Sequence, residues 1–135
     1  MSACDAARIW TLNYRLLLSV ISSVQPDTTK LGLDSKELFL LAEIDEHPYP
    51  AELAAILSMP KATVTVYLKR LEAAGFVRRE IDASDLRRHR LLLTPAGRQA
   101  ATDGLALLSG EFDKRLGRLT AAQQKNLKNL LQKIV

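Results

Sequence analysis

Apolar residues recur at helical spacing within residues 61–77, and the rest of the chain is organised around this stretch. Val64, Tyr67, Leu68 and Leu71 stand at positions i, i+3, i+4 and i+7. This spacing predicts an amphipathic helix that turns one apolar stripe toward a core.

From Lys61 to Arg70, the other faces of this predicted helix carry no acidic residue. Their side chains are small, hydroxylated or basic, and they comprise Lys61, Ala62, Thr63, Thr65, Val66, Lys69 and Arg70. A merely solvated surface usually mixes charges of both signs, so this composition favours a polyanionic partner. Gly75 follows the stripe and predicts a helix end with a left-handed cap.

A shorter predicted helix and a tight turn come before the basic helix. In the segment PAELAAILSMP, the spacing of Leu53, Ile56 and Leu57 places them on one face of a helix, and we expect this face to turn toward the core. Ser58–Pro60 follows as a turn, since proline ends one helix and opens the next. Two short helices, a three-residue turn and a basic second helix together predict a helix-turn-helix.

Two short strands are predicted after the basic helix. Residues 76–81 and 88–94 are rich in strand-forming residues and are joined by a polar loop. The resulting hairpin is a wing, and Arg87 and Arg88 lie at its tip.

An ordered set of short motifs resembles the MarR family of winged-helix transcription regulators. The motifs are Leu53-Ala54, Thr63-Val64-Thr65, Leu71 to Val77, Asp82, Asp85, Arg87 and Leu93 to Gly97. The match covers residues 50–98, and flanking helices of suitable length extend it over nearly the whole chain. The resemblance implies a mainly α fold with a small β-hairpin, in which interlaced terminal helices form a dimer.

The resemblance also implies roles for the helix and the wing. Arg87 would enter the DNA minor groove, where a narrow A·T tract concentrates negative potential, and Asp85 would brace it. Two positions depart from the family pattern. Pro60 stands where a serine N-cap is common, and Val66 stands where a polar or basic residue is common. These two departures concern the base preference, and DNA binding itself is still what the resemblance implies.

The chemistry of the basic helix predicts how it would contact DNA. Thr63 and Thr65 can donate and accept hydrogen bonds at base edges, and their methyl groups can contact thymine methyls. Ala62 and Val66 add apolar contacts of the same kind. The cations are better suited to phosphates or a guanine edge, and they are Lys61, Lys69, Arg70 and, at the wing, Arg87 and Arg88.

Apolar helices are predicted at both ends of the chain. Residues 6–24 are apolar on most sides, which favours burial against a second subunit. A loop is expected at residues 25–33, a capping-box helix at residues 34–46, and a short edge strand at residues 47–50. Two further helices follow Thr94 and Thr120, each of which is a predicted N-cap. We expect one domain over residues 1–135, with dimerisation helices at 1–33 and 99–135 and a DNA-binding lobe at 34–98.

The charge of the chain is concentrated in the predicted DNA-binding region. The whole chain carries +4 over 135 residues, whereas residues 61–98 hold nine basic and four acidic side chains, a net +5. The remainder therefore carries −1, so the basic patch coincides with the helix and the wing. No apolar run spans a bilayer, and a single cysteine fits a reducing compartment, so we expect a cytoplasmic protein without a membrane partner.

Few residues suggest other chemistry. Cys4 could sense oxidants, but Asp5 beside it would raise its pKa, which favours an inert thiol. His47 and His89 do not stand at the spacing of metal ligands, so we expect no metal site. The sequence shows no recognisable set of catalytic residues, so we expect that the protein is not an enzyme and needs no cofactor.

Scarce aromatic residues suggest an effector site. Trp10, Tyr14 and Phe39 could line a pocket for a small aromatic molecule, although each is more commonly a core residue. The main prediction is a dimeric DNA-binding regulator that represses a promoter through a pseudo-palindromic site. The alternative is an adaptor that uses the same fold to bind a protein partner.

Overall fold

The computed structural model describes residues 5–135 and confirms a mainly helical fold with a small hairpin. In chain order the elements are α1 (Ala6–Lys30), α2 (Ser35–Glu43), α3 (Pro50–Ile56), α4 (Lys61–Ala73), β1 (Val77–Ile81), β2 (His89–Leu93), α5 (Pro95–Leu116) and α6 (Ala121–Ile134). The two strands pair antiparallel, with Val77 opposite Leu93 and Ile81 opposite His89. No helix in this part of the chain is both long and apolar enough to cross a membrane.

The chain divides into two compact units. The terminal unit contains the described residues up to Val24 together with Leu107–Val135. The central unit contains Gln25–Ala106, which includes the helix-turn-helix and the wing. Helices α1 and α5 each contribute one part to both units.

The core of the central unit is built from the predicted apolar stripe of α4. Val64, Leu68 and Leu71 are fully buried, together with Leu38 of α2 and Leu53 of α3. Full burial of each such side chain contributes about 1.5–3 kcal/mol, so this cluster holds α4 in a fixed orientation. The outer face of α4 is therefore fixed by the packing of its inner face.

The first helix is longer than the sequence analysis predicted. Residues 25–30 were expected to form a loop, but α1 continues through Pro26 to Lys30. Proline removes one helical N–H bond, and yet its fixed φ is compatible with a helix. Hydroxyl groups of Thr28 and Thr29 donate to the carbonyl of Gln25, at 3.1 and 2.8 Å. Burial of Thr28 in the central unit supports this extra turn, and the weak local propensity did not reveal it.

Four other sequence predictions need small corrections. Helix α2 ends at Glu43 rather than near residue 46, and β1 and β2 start one residue later than expected. Ile56 is half exposed rather than inward, because α3 ends there and the chain turns. Residues 47–50 form no strand; Pro48 instead accepts one hydrogen bond, from the N–H of Leu91 at 2.7 Å.

The predicted end of α4 and two predicted helix starts are confirmed. Gly75 has φ +79°, and its N–H donates to Glu72 while the N–H of Phe76 donates to Leu71. This pair of bonds is a Schellman motif, which turns the chain directly from α4 into β1. Capping boxes are present at Asp34 and Thr120.

Candidate nucleic-acid interface

Helix α4 presents its predicted polar face to solvent. Six of the seven residues expected to contact DNA on this helix are exposed, and Thr63 is half-buried. No side chain caps the N-terminus of α4, because Pro60 occupies the N-cap position. Within residues 5–135, no carboxylate forms an ion pair with Lys61, Lys69 or Arg70. These cations are therefore available to an external anion.

Thr65 has a more restricted chemistry than the sequence suggested. Its hydroxyl donates a hydrogen bond to the carbonyl of Lys61, one turn earlier, at 3.0 Å. The oxygen still accepts, and the methyl group remains available, but the proton is already engaged. In this conformation Thr65 suits the amino group of adenine or cytosine, or a thymine methyl, better than a base acceptor.

Arg70 makes a cation–π contact with Tyr67 on its own helix. Its guanidinium lies 5.6 Å from the ring centroid of Tyr67, which is half-buried. A cation at this distance is attracted to the ring face without losing its exposure. Arg70 therefore keeps a preferred direction at the outer end of α4.

Arg87 is the most exposed cation of the wing tip. Its side chain is 93% exposed, and its only described ion pair is a loose one, with 3.4 Å between Nε and Oδ1 of Asp85. The same carboxylate oxygen accepts the backbone N–H of Arg87 at 3.0 Å. Asp85 therefore holds the backbone at the tip, while most of the Arg87 side chain remains exposed to solvent. The role of Asp85 as a brace for Arg87 on DNA remains a prediction.

Arg88 is adjacent in sequence but has different surroundings. Its guanidinium lies 3.6 Å above the ring centroid of Tyr49, and its Nη2 lies 3.9 Å from a carboxylate oxygen of Glu52. The hydroxyl of Tyr49 donates to Asp82. That bond lowers the pKa of Asp82 well below its ordinary value, and bonds from Ser84 lower it further. The pKa of Tyr49 is raised by the same carboxylate.

Tyr49 and Arg88 border a cavity of about 430 Å³ beside the wing. Its lining comprises Tyr49, Pro50, Ala51, Arg79, Arg87, Arg88 and His89. Sequence analysis missed Tyr49 and Asp82 as a connected pair, since 33 residues separate them. The only signal was the pattern of residues 47–50, which suggested a segment beside the sheet.

Several basic residues counted in the sequence are already neutralised within the protein. Arg79 pairs with Glu72, Arg78 lies 3.4 Å from Glu80, and Arg98 makes two hydrogen bonds to Asp45. Their charge contributes less to an external field than the sequence count implied. Within residues 61–98, the cations that form no ion pair in the described chain are Lys61, Lys69 and Arg70 of α4 and Arg90 of β2.

The three aromatic residues predicted to line an effector pocket lie in different units. Trp10 and Tyr14 belong to the terminal unit, where their rings stack with centroids 5.8 Å apart. Both are exposed rather than core residues. Phe39 is half-buried in α2 of the central unit. A shared pocket remains a prediction.

The histidine at the end of α2 has closer carboxylate neighbours than the sequence analysis expected. Ligand atoms of Glu43, Glu46 and His47 lie within 4.8 Å of one another. Their spacing brings them together at the helix end, so the expectation that His47 lies in no such cluster was wrong. Exposed groups of this kind are common without a metal. Cys4 lies outside the described residues.

A helix-turn-helix with a β-wing and an exposed basic second helix defines the class of winged-helix proteins. The MarR family profile matches residues 31–88. A repressor of Mycobacterium tuberculosis, the HTH-type transcriptional repressor Rv2887, is 32% identical over 99% of this chain and 98% of its own. The transcriptional regulator HosA of Escherichia coli is 31% identical over 82% of this chain and 79% of its own. The chain belongs to the MarR family of transcription regulators.

Solved structures agree with this assignment. The crystal structure of Rv2887 in complex with salicylic acid has a TM-score of 0.76 and 29% identity, covering 99% of this chain and 98% of that one. A crystal structure of MarR has a TM-score of 0.83 at 23% identity, covering 99% of this chain and 92% of that one, and supports the fold alone. Family membership indicates a regulator rather than an enzyme.

Proposed function

We propose that the protein is a dimeric repressor that acts in the cytoplasm by occupying a pseudo-palindromic promoter site. The observation that carries this proposal is the outer face of α4, which holds three cations that form no ion pair in the described chain. Arg87 adds a fourth cation at the wing tip, where its side chain is 93% exposed and paired only loosely with Asp85. Such a surface suits the phosphates and the major groove of duplex DNA. Two copies of α4, one from each subunit, would contact successive major grooves.

The terminal unit supports the proposed dimer. Its α1 exposes six large apolar side chains, namely Ile9, Trp10, Leu12, Tyr14, Leu17 and Leu18. Helix α6 exposes Leu130 and Ile134, and it borders an apolar cavity of about 620 Å³ with Phe112, Leu116, Leu127 and Leu131 in its lining. This much exposed apolar surface favours a protein contact, and a second copy is its proposed occupant. We assign dimerisation to residues 1–33 and 99–135 and DNA binding to residues 34–98.

A small aromatic acid is the proposed effector. Structures of Rv2887 in complex with salicylic acid and p-aminosalicylic acid show that this relative binds such molecules. In this chain Trp10, Tyr14 and Phe39 are the proposed contacts. Binding would favour a dimer form whose two α4 helices no longer match successive grooves, and the repressor would then leave its site.

The test is to measure binding to random-sequence duplex DNA at rising salt concentration, followed by selection of preferred fragments from a site library. A repressor gives a steep fall of log affinity with log salt and a selected site with two-fold symmetry. An adaptor for a protein partner gives neither result. Binding without salt dependence and without a selected site would therefore replace the present proposal with the adaptor.

A further inference from the structure

We infer that Arg88 is a positioning residue, which fastens the wing to the segment before α3 instead of contacting a DNA phosphate. This inference rests on the proposed function for its effect on DNA binding, whereas its structural part concerns the free protein. It separates the roles of Arg87 and Arg88, which the sequence alone had grouped together.

The surroundings of Arg88 are those of a residue engaged within the protein. Its guanidinium covers the ring of Tyr49 at 3.6 Å, which is close to van der Waals contact, and one edge faces Glu52 at 3.9 Å. Its side chain is 46% exposed, against 93% for Arg87. A guanidinium stacked on a ring and paired with a carboxylate would have to leave both partners to reach a phosphate.

The backbone of Arg88 closes the loop of the wing. Its carbonyl accepts the N–H of Asp82 at 2.9 Å, and its own N–H donates to the carbonyl of Asp85 at 2.9 Å. The backbone of Arg88 therefore forms the hydrogen bonds that close the loop between β1 and β2, and its side chain stacks on Tyr49. Movement of that side chain would be transmitted to the tip.

Tyr49 connects to the other side of the same loop. Its hydroxyl donates to Asp82, and the second carboxylate oxygen of Asp82 accepts both the N–H and the hydroxyl of Ser84, at 2.9 and 2.7 Å. One tyrosine thus contacts the loop at two places, through its ring at Arg88 and through its hydroxyl at Asp82.

A backbone hydrogen bond completes the fastening. The carbonyl of Pro48 accepts the N–H of Leu91 in β2 at 2.7 Å. The segment before α3 is thereby joined to the hairpin by a side-chain stack, a side-chain hydrogen bond and a backbone hydrogen bond. Since α3 packs on α4, this set of contacts relates the position of Arg87 to that of α4.

The first arm of the test uses the free protein and needs no DNA. Amide hydrogen exchange is measured at Leu91 in the wild type, Arg88→Gln, Tyr49→Leu and the matched control Arg87→Gln. We expect exchange to be at least roughly fivefold faster in Arg88→Gln and Tyr49→Leu, because the contacts that hold the Leu91 bond closed are lost. Arg87→Gln should exchange like the wild type. Unchanged exchange in Arg88→Gln would overturn the inference, whatever the protein binds.

The second arm measures duplex DNA affinity against salt for the same four proteins. Arg87→Gln should flatten the log–log slope by about two units in a dimer, one for each lost phosphate contact. Arg88→Gln should lower affinity by roughly three- to tenfold with a slope within about half a unit of the wild type. Tyr49→Leu should lower the affinity by a similar factor. The double variant Tyr49→Leu/Arg88→Gln should bind DNA no more weakly than either single variant, because both substitutions break the same contact.

Arg88→Lys is the rescue variant, because an ammonium group also binds to the ring face of Tyr49. We expect it to restore most of the affinity and of the Leu91 protection. A slope in Arg88→Gln that flattens as much as in Arg87→Gln would make Arg88 a phosphate contact and overturn the inference. A wild type without salt-dependent binding would instead refute the proposed function, and the exchange arm would still decide the inference.

Discussion

Gly97 in the first turn of α5 lies against the backbone carbonyl of Phe76, so closely that a Cβ atom at Gly97 would overlap that oxygen. The carbonyl also accepts the N–H of Thr94 at 3.1 Å. The hydroxyl of Thr94 in turn accepts the N–H of Gly97 at 3.0 Å. The start of the wing, directly before β1, and the first turn of α5 are therefore packed backbone against backbone, which explains why glycine stands at position 97.

Gly97→Ala should destabilise the protein strongly. The added methyl group meets backbone rather than a movable side chain, so we expect a loss of about 1–3 kcal/mol or more in the free energy of unfolding. Urea unfolding at a fixed protein concentration measures it. Gly110→Ala on the same helix is the control, since a Cβ there meets nothing within 4 Å. The control should gain about 0.5–1 kcal/mol from helix propensity; equal losses in both variants would contradict this account.

Two acidic substitutions on α6 should weaken the dimer. Leu131→Asp together with Ile134→Asp places charges on the apolar stripe that we assign to the subunit contact. The sedimentation coefficient at micromolar concentration should fall toward that of a monomer, and DNA affinity should fall with it. Asn126→Asp with Asn129→Asp adds the same charge off the stripe and should leave the dimer intact. A stable wild-type monomer at that concentration would remove the basis of the proposal.

Thr65 on α4 and Arg87 on the wing should affect DNA binding in different ways. Thr65→Ala removes no charge, so the salt dependence should stay unchanged while preference relaxes at one base position per half-site, by roughly 1–3 kcal/mol. Arg87→Ala should lower affinity for all sequences and flatten the salt slope, with extra loss at A·T-rich flanks. Both variants are compared against a site library at several salt concentrations. A uniform loss in Thr65→Ala with an unchanged slope in Arg87→Ala would reverse the assignment.

The pKa of Asp82 should report directly on its bond to Tyr49. Because this pKa lies below its ordinary value of 3.8, ionised Asp82 stabilises the folded state above that pH. The contribution disappears as pH falls through the lowered pKa. Tyr49→Phe removes the largest cause and should raise the pKa toward 3.8, whereas Ser84→Ala, which keeps the backbone donor, should raise it less. NMR titration of the carboxyl group measures the pKa of Asp82 in each variant. If this pKa in Tyr49→Phe equals that of the wild type, the hydrogen bond from the Tyr49 hydroxyl is absent in solution.

The fluorescence of Trp10 provides a test of the effector site, since it is the only tryptophan. Salicylate-like acids should change its emission, raise the melting temperature and weaken binding to the selected DNA site. Trp10→Phe serves as the optical control, because it removes the fluorophore but keeps an aromatic ring at the proposed contact, so the signal should disappear while part of the thermal shift remains. Aromatic acids that change neither melting temperature nor DNA affinity would remove support for the pocket.

The sequence was most informative where local chemistry and burial act together. The stripe of Val64, Leu68 and Leu71 predicted α4 because helical spacing and core packing impose the same pattern. Gly75 predicted the end of α4 because few other residues adopt its positive φ. The strand-forming residues on either side of a polar loop likewise predicted the wing, because a hairpin needs both features.

The sequence was least informative where distant residues decide the local structure. Residues 25–30 contain Pro26 and two threonines, which favour a loop locally, and yet burial of Thr28 keeps them helical. Arg87 and Arg88 have the same side chain at the same tip, so only the position of Tyr49 distinguishes them. A count of charges in the sequence likewise could not show that Arg79 pairs with Glu72 and Arg98 with Asp45.

The exposed face of α4 is unusually rich in methyl groups for a surface that is to meet DNA. Ala62, Thr65 and Val66 are all exposed there, and Thr65 keeps its proton on its own helix. If α4 contacts bases as proposed, such a face would distinguish them in part by the methyl group that thymine carries at its fifth carbon. The same chemistry is present in 5-methylcytosine and missing from deoxyuridine. Affinity for a promoter would then respond to enzymatic methylation of cytosine and to uracil replacing thymine, so that the repressor would be sensitive to covalent marks on its operator as well as to base sequence.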